Sequence, residues 1–299
     1  MPTLKSAFGQ YHFYDCGGYG LFSFAGERWQ PVQRGKKVSS PRPFMRERAN
    51  RPMDSSKEAA YRTLKPVLKA LSQKDRPVVL DVGGYIGTFC IPISLCAKAD
   101  GWGVHIHSFE PGPTQELIKI NVDLNGLSPH ITVHDEAISD NDGYAIYAFR
   151  QDGIIGGQVF TENNTDTQCI VPTTTLNTFA SRHLKATDNL VIKLDTQGHE
   201  PEIMKYATDI IARKQAVWLI EYMHWTGRKA FHDTVFSAYL LENFHTFDSN
   251  GEMEPLDHEG MERLLDKLEK SGNMTDLLLV PKAASFTEDV LAAIQSAND

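Results

Sequence analysis

The stretch RPVVLDVGGYIGTFCIPISLCAKA, Arg76 to Ala99, constrains the fold more than any other part of the chain. It opens with RPVVLDV, a short valine-rich run suited to a strand buried on both faces of a parallel sheet. Glycines at 83, 84 and 87 follow, and then Phe89, Ile93 and Cys96 or Ala97 recur at helical spacing. Pro92 falls near the first turns of that helix, where a missing N–H is tolerated. Strand, glycine loop and helix in this order aim backbone N–H groups at a ligand.

The loop also says what kind of ligand it suits. A dinucleotide fingerprint needs glycines at n, n+2 and n+5, and 83, 84 and 87 do not match it. The Gly-Lys-Ser/Thr of a phosphate-cradling loop is absent as well. Asp81 ends the strand where it would repel a pyrophosphate but welcome a ligand ammonium. Asp81, Gly83, Gly84, Tyr85 and Gly87 are therefore candidates to hold a cofactor that carries an amino acid. The next strand, WGVHIHSFEP, ends in Glu110 with Pro111 closing it, 27 residues past Gly83. An acid at that tip can accept both hydroxyls of a ribose. A third strand, HITVHDEAIS, places Asp135 and Glu136 at its end, where one of them could bond an adenine amino group.

The earlier glycine cluster, Asp15 to Gly20 (DCGGYG), lies between aromatic, β-prone segments with no helical periodicity after it. It reads as a hairpin turn rather than a second site. Downstream, strands and helices alternate. Strands are expected at 190–194, 216–224, near HTFDSN and at 276–281, and extra β-structure with a Gly156-Gly157 turn at 143–164. Helices are expected at 55–73, 113–127, within 173–183 on a Thr cap, from Pro201 through the TDIIA segment, and in two C-terminal stretches. This alternation predicts an α/β protein with a doubly wound parallel sheet and an antiparallel edge. Residues 1–54 form a basic N-terminal extension containing a β-hairpin, a cap over the cleft, and residues 55–299 form the main domain.

Charge divides the chain. Residues 1–76 hold 15 Lys and Arg against 6 Asp and Glu, whereas residues 77–299 hold 15 against 32, within a net charge of −8. A basic arm, including RPFMRERANRP (Arg42 to Pro52), precedes an acidic body; it either packs on that body or meets an anionic substrate. The acidic body repels phosphate, and few aromatics interleave the arginines, so nucleic acid is disfavoured as a partner. No apolar run approaches the roughly 18 residues of a membrane span, and the N-terminus lacks the apolar core of a secretory signal. Cys16, Cys90, Cys96 and Cys169 show no metal-ligand spacing, which suits a reducing, cytoplasmic setting.

The densest polar constellation is KLDTQGHE, Lys193 to Glu200, at the tip of the fourth strand. Lys193 and Asp195 are two apart and share a face. Gly198 lets the chain turn, and His199 and Glu200 enter the next helix. A displacement at a hydroxyl acceptor needs close positioning and a base; Lys193, Asp195 and His199 are candidates, with histidine nearest neutrality. Asp195, Glu200 and Glu221 could instead hold a divalent metal, though no spacing here requires one.

VVLDVGGYIGTF, SFEP, NVDLNGL, DEAISD, TTTLNTF and VIKLDTQGHEPEIMKYA, in this order, resemble the FkbM-type family of class I S-adenosylmethionine (SAM) dependent methyltransferases over residues 77–222. The resemblance implies a Rossmann-like, seven-stranded sheet and O-methylation of sugars or natural-product hydroxyls. It implies that Asp81, Gly83 and Gly87 contact the methionine part of SAM, Glu110 the ribose, and Asp135 with its neighbour the adenine. Residues 195–200 would line the reaction centre. Family members often carry Val-Glu-Gly where this chain has Thr196-Gln197-Gly198, which weakens a metal or acid role for position 197. A small-molecule or carbohydrate acceptor is expected. The alternatives are an RNA methyltransferase using the basic arm, a SAM-binding protein without catalysis, and an aminopropyl transferase.

Overall fold

The computed structural model describes residues 3–6, 9–12, 21–25, 28–33, 36–37, 55–112, 114–149, 158–159, 167–223, 234–249, 253, 255–272 and 274–298. The first glycine cluster, the basic segment 42–52 and the Gly156-Gly157 turn lie outside them. Near the N-terminus β1 (Thr3–Ser6) pairs with β2 (Gly9–His12), and β3 (Leu21–Ala25) pairs with β4 (Arg28–Gln33), which pairs with β5 (Lys36–Lys37). Among the described residues, the strands on either side of the first glycine cluster pair with β1 and β4, not with each other as the hairpin reading expected.

The main body begins with α1 (Ser55–Leu71) and continues through β6 (Val78–Val82), α2 (Cys90–Asp100), β7 (His105–Phe109), α3 (Gln115–Leu124) and β8 (Ile131–His134). A small mixed excursion follows: β9 (Ala137–Ile138), β10 (Gly143–Phe149), β11 (Gln158–Val159) and β12 (Thr167–Thr174), with β12 antiparallel to β10 and parallel to β9. Then come α4 (Leu176–His183), β13 (Leu190–Leu194), α5 (Glu200–Lys205), α6 (Thr208–Arg213) and β14 (Ala216–Met223). The last elements are α7 (Thr234–Asn243), β15 (Phe244–Asp248), α8 (His258–Ser271), β16 (Met274–Pro281) and α9 (Thr287–Asn298).

Seven strands form one sheet in the order β15-β16-β14-β13-β6-β7-β8. β14, β13, β6, β7 and β8 run parallel, while β16 is antiparallel to both β14 and β15. The antiparallel strand thus sits one place in from the edge, a correction to the expected antiparallel edge. The parallel strands follow from their composition: all five residues of β6 and of β13 are buried, as a strand covered on both faces requires. Val79, Ile106, Val191 and Val217 face α1, α2, α3 and α9. Leu80, Ile192, Trp218 and Leu279 face α4 to α8.

The helices form where periodicity and caps agree. Pro92 occupies the first turn of α2, and Gly101 ends that helix at φ +75°. Thr175 caps α4 by accepting the Thr178 N–H at 3.1 Å. The single helix expected from Pro201 is broken in two at Tyr206 and Ala207. Asn177 of α4 holds the start of the second half: its Oδ1 accepts the Asp209 N–H at 3.2 Å, and its Nδ2 donates to Thr208 Oγ1 at 3.2 Å. The excursion forms its own sheet in the order β11-β10-β12-β9. One end of it, β9, leads directly from β8, so this sheet stands beside the carboxyl ends of the parallel strands.

Candidate functional site

Strand order reverses between β6 and β13, since β7 and β8 extend to one side of β6 and β13 and β14 to the other. In open α/β sheets the crevice at such a reversal receives ligands. The glycine loop lies there. The N–H groups of Gly83 and Gly84 both donate to the Phe109 carbonyl, at 3.0 and 2.9 Å. Gly83 has φ +82°, and a Cβ on it would stand 2.0 Å from the Asp195 carbonyl oxygen; one on Gly84 would stand 2.2 Å from Ser108 Oγ. Glycine is what lets the tips of β6, β7 and β13 approach so closely. Tyr85 continues at φ +53°, a costly conformation for an aromatic residue.

Beneath the loop the sheet changes character. Ile106, Val79 and Val191 are register neighbours across β7, β6 and β13, and two residues further along the row is Ser108, Asp81 and Lys193. Asp81 is fully buried. Its Oδ2 accepts from Ser108 Oγ at 3.0 Å, and its Oδ1, which has no hydrogen-bond partner, lies 3.6 Å from Lys193 Nζ. Lys193 Nζ also donates to Asp195 Oδ2 at 3.1 Å and sits 5.5 Å from the centre of the Phe89 ring. Burial pushes the Asp81 carboxyl up, against the pull of Lys193 and Ser108. Burial also opposes the charge on Lys193, but Asp195 and Asp81 outweigh it and hold the ammonium above the ordinary lysine range.

Asp81 thus faces an internal ammonium, that of Lys193, and the two carboxylates beside Lys193 favour its protonated form over the free amine that a base requires.

At the tip of β13, Asp195 Oδ1 accepts from Gln197 Nε2 at 3.2 Å, and the same nitrogen donates to Glu221 Oε2 at 3.1 Å. Gln197 stands at φ +60° and Gly198 at φ +101°. Burial raises the Glu221 carboxyl well above the usual range, reinforced by Asp195, Glu200 and Asp276. Glu200 is fully buried, and its Oε1 accepts the Thr196 N–H at 2.6 Å, closing its own loop. His199 immediately precedes α5 and turns toward the end of β9, where its Nε2 lies 3.0 Å from Ser139 Oγ. Ser139 Oγ in turn donates to Asp140 Oδ1 at 3.0 Å. Burial lowers the His199 pKa against the pull of Asp140 and Glu202, which favours the neutral ring. Among the described residues, no group of three or more His, Cys, Asp or Glu side chains is arranged to hold a metal ion. Cys90, Cys96 and Cys169 are free thiols. No helix among the described residues is long and apolar enough to cross a membrane.

Glu110 at the tip of β7 is buried and closely held. The Tyr85 N–H donates to its Oε2 at 2.8 Å, and the Gly112 N–H and Tyr147 hydroxyl donate to its Oε1 at 3.2 and 3.3 Å. Burial raises its pKa, and hydrogen bonds from Thr114, Tyr85, Gly112 and Tyr147 pull the other way. The Glu110 N–H donates to the His134 carbonyl at 3.1 Å, which joins it to the tip of β8. There Asp135 is exposed and Glu136 half-buried. The structure therefore brings the glycine loop, Glu110 with Pro111, Asp135 with Glu136, and residues 195–200 to one carboxyl edge. The motif reading included Gln197 within 195–200 but missed Ser108 and Tyr147. Ser108 was within reach, since it shares a strand face with Glu110; Tyr147 arrives from a separate sheet and left no local signal.

An FkbM methyltransferase structure from Methylobacillus flagellatus is 17% identical and matches at a TM-score of 0.40, over 69% of this chain and 44% of that one. Precorrin-6y C5,15-methyltransferase from Geobacter metallireducens is 12% identical at a TM-score of 0.35, over 74% of this chain and 86% of that one. A human methyltransferase 10 domain containing protein is 10% identical at a TM-score of 0.39, over 77% and 84%. None of the curated proteins matches the chain. The model of the methyltransferase FkbM domain matches residues 81–267, which begins at Asp81 and takes in Glu110, the β13 tip and Glu221. With well over half of its length matched in this way, the chain belongs to the FkbM family of SAM-dependent methyltransferases.

Proposed function

We propose that the chain transfers the methyl group of SAM to a hydroxyl of a sugar or natural-product small molecule. The residues present suit the cofactor: Asp81 Oδ1 is buried without a hydrogen-bond partner beneath the loop, and Glu110 presents a fixed carboxylate one strand away. In this reading the Gly83–Gly87 loop meets the methionine part, Glu110 and Pro111 the ribose, and Asp135 with Glu136 the adenine. When bound, SAM supplies an electrophilic methyl on a sulfonium. The chain's part is to align the acceptor and take its proton.

The observation that carries the reading is the chain of contacts Asp140–Ser139–His199. Because the Ser139 hydroxyl donates to Asp140, it accepts from His199 Nε2–H. The neutral ring is then left with Nδ1 as its proton acceptor. His199 Nδ1 takes the acceptor hydroxyl proton, while Asp195, gripped by Lys193 and Gln197, orients the acceptor through hydrogen bonds. The acidic body favours a small acceptor over a nucleic acid, and the free thiols of Cys90, Cys96 and Cys169 suit action in a reducing cytoplasm.

The test is a panel of hydroxylated acceptors with methyl-labelled SAM. H199A is expected to lower kcat by about 100-fold or more and to leave the affinity for S-adenosylhomocysteine intact. Transfer to nitrogen or to RNA, or tight cofactor binding without turnover on any acceptor, would overturn the hydroxyl reading.

A further inference from the structure

Tyr147 belongs to β10, in the excursion sheet rather than the main one. Its ring is buried with Ala137 and Val171 in a small core of that sheet, and its hydroxyl leaves this core to reach Glu110 Oε1 at 3.3 Å. The approach is built in. A Cβ on Gly112 would stand 2.8 Å from Tyr147 Cε1, 3.0 Å from Glu110 Oε1 and 3.1 Å from the Tyr147 hydroxyl. Glycine at 112 thus leaves room for tyrosine and glutamate to meet. The Gly112 N–H and the Tyr147 hydroxyl hold one oxygen of the carboxylate, and the other faces the glycine loop, where the Tyr85 N–H meets it. Burial and the neighbouring Glu110 raise the Tyr147 pKa well above the usual value, so the phenol stays a donor throughout the working range.

We infer that Tyr147 is a positioning residue for the ribose clamp, fixing the Glu110 carboxylate so that it discriminates for the hydroxyls of the cofactor's sugar. The inference rests on the reading that Glu110 accepts the ribose. It also gives the excursion sheet a role at the site, because a residue of that sheet then sets the grip on the cofactor.

The test measures binding of S-adenosylhomocysteine and of its 2′,3′-dideoxy analogue by calorimetry, for the full chain and for Y147F. The wild-type chain is expected to prefer the ribose form. Y147F should shrink that preference by about three- to tenfold and leave affinity for the dideoxy analogue unchanged. A tyrosine that merely packs would weaken both ligands equally, and an equal loss, or an unchanged preference, overturns the inference. Y147L gives the same reading should Y147F fold poorly. A wild-type chain that binds both ligands without preference removes Glu110 from the ribose. A chain that binds neither removes the cofactor reading itself, and the role of Tyr147 with it.

Discussion

Lys193 carries its charge in a place where a lysine would ordinarily lose it. It is buried beneath the glycine loop, yet Asp81 and Asp195 stand at 3.6 and 3.1 Å and keep it protonated. Removing one partner of a buried ion pair leaves the other uncompensated, which costs about 3–5 kcal/mol. K193M is therefore expected to lose stability of this order, measured by urea unfolding. D81N in the same chain is expected to restore part of it, because the stranded carboxylate is then gone. Equal stability of the wild type and K193M would mean that the row beneath the loop is not an ionic unit. At this scale much of the site was legible. Asp81 and Glu110 end hydrophobic strands, and glycines or a proline follow them, so chain punctuation marks both. What each acid touches was not legible, because Ser108, Lys193 and Tyr147 come from strands whose pairing no local pattern specifies.

Among the elements, β7, β8 and α4 share an unusual packing. His107 Nδ1 and His134 Nε2 are 3.0 Å apart, and Phe109 stacks on His134 while Phe179 stacks on His183. Burial, with help from the neighbouring imidazoles, lowers His107 to about 3 and His134 to about 4. His105 and His183 also face the pair, Arg76 approaches His105, and Asp135 and Glu136 stand at the β8 end. The unfolded chain takes up protons near pH 6.5, whereas the folded pair resists until well below that. Stability should accordingly be full above about pH 6.5 and fall as the pH drops toward 4. H107Q is expected to reduce the slope of melting temperature against pH across this window, and an unchanged slope would place the acid sensitivity elsewhere. Element types were mostly legible because buried parallel strands and capped helices have strong signatures. β12 was not: Pro172 interrupts a run that would otherwise read as a strand, and its pairing with β10 is non-local. α9 carries a helical signal in Val290 and Ile294, although no motif draws attention to it.

For the whole molecule, alternating strands and helices fixed a doubly wound parallel sheet, and strand order put the crevice at the β6–β13 reversal. The position of β16 was beyond such reasoning, since a strand's direction depends on which unpaired edges remain when it arrives. β16 lies between β14 and β15 and pairs with both. A chain ending at residue 273 is expected to leave two strand edges bare and to aggregate, as light scattering would register; a soluble, monodisperse product would contradict this. The same placement sets an order of events during synthesis. The half carrying the glycine loop and Glu110 can pair its strands as soon as they emerge, but β14, whose Glu221 meets Gln197 at the β13 tip, waits with one side open for a strand made about fifty residues later. If the glycine loop and Glu110 hold the cofactor as proposed, its contacts on the early half are available to steady a nascent domain whose other side has yet to be closed.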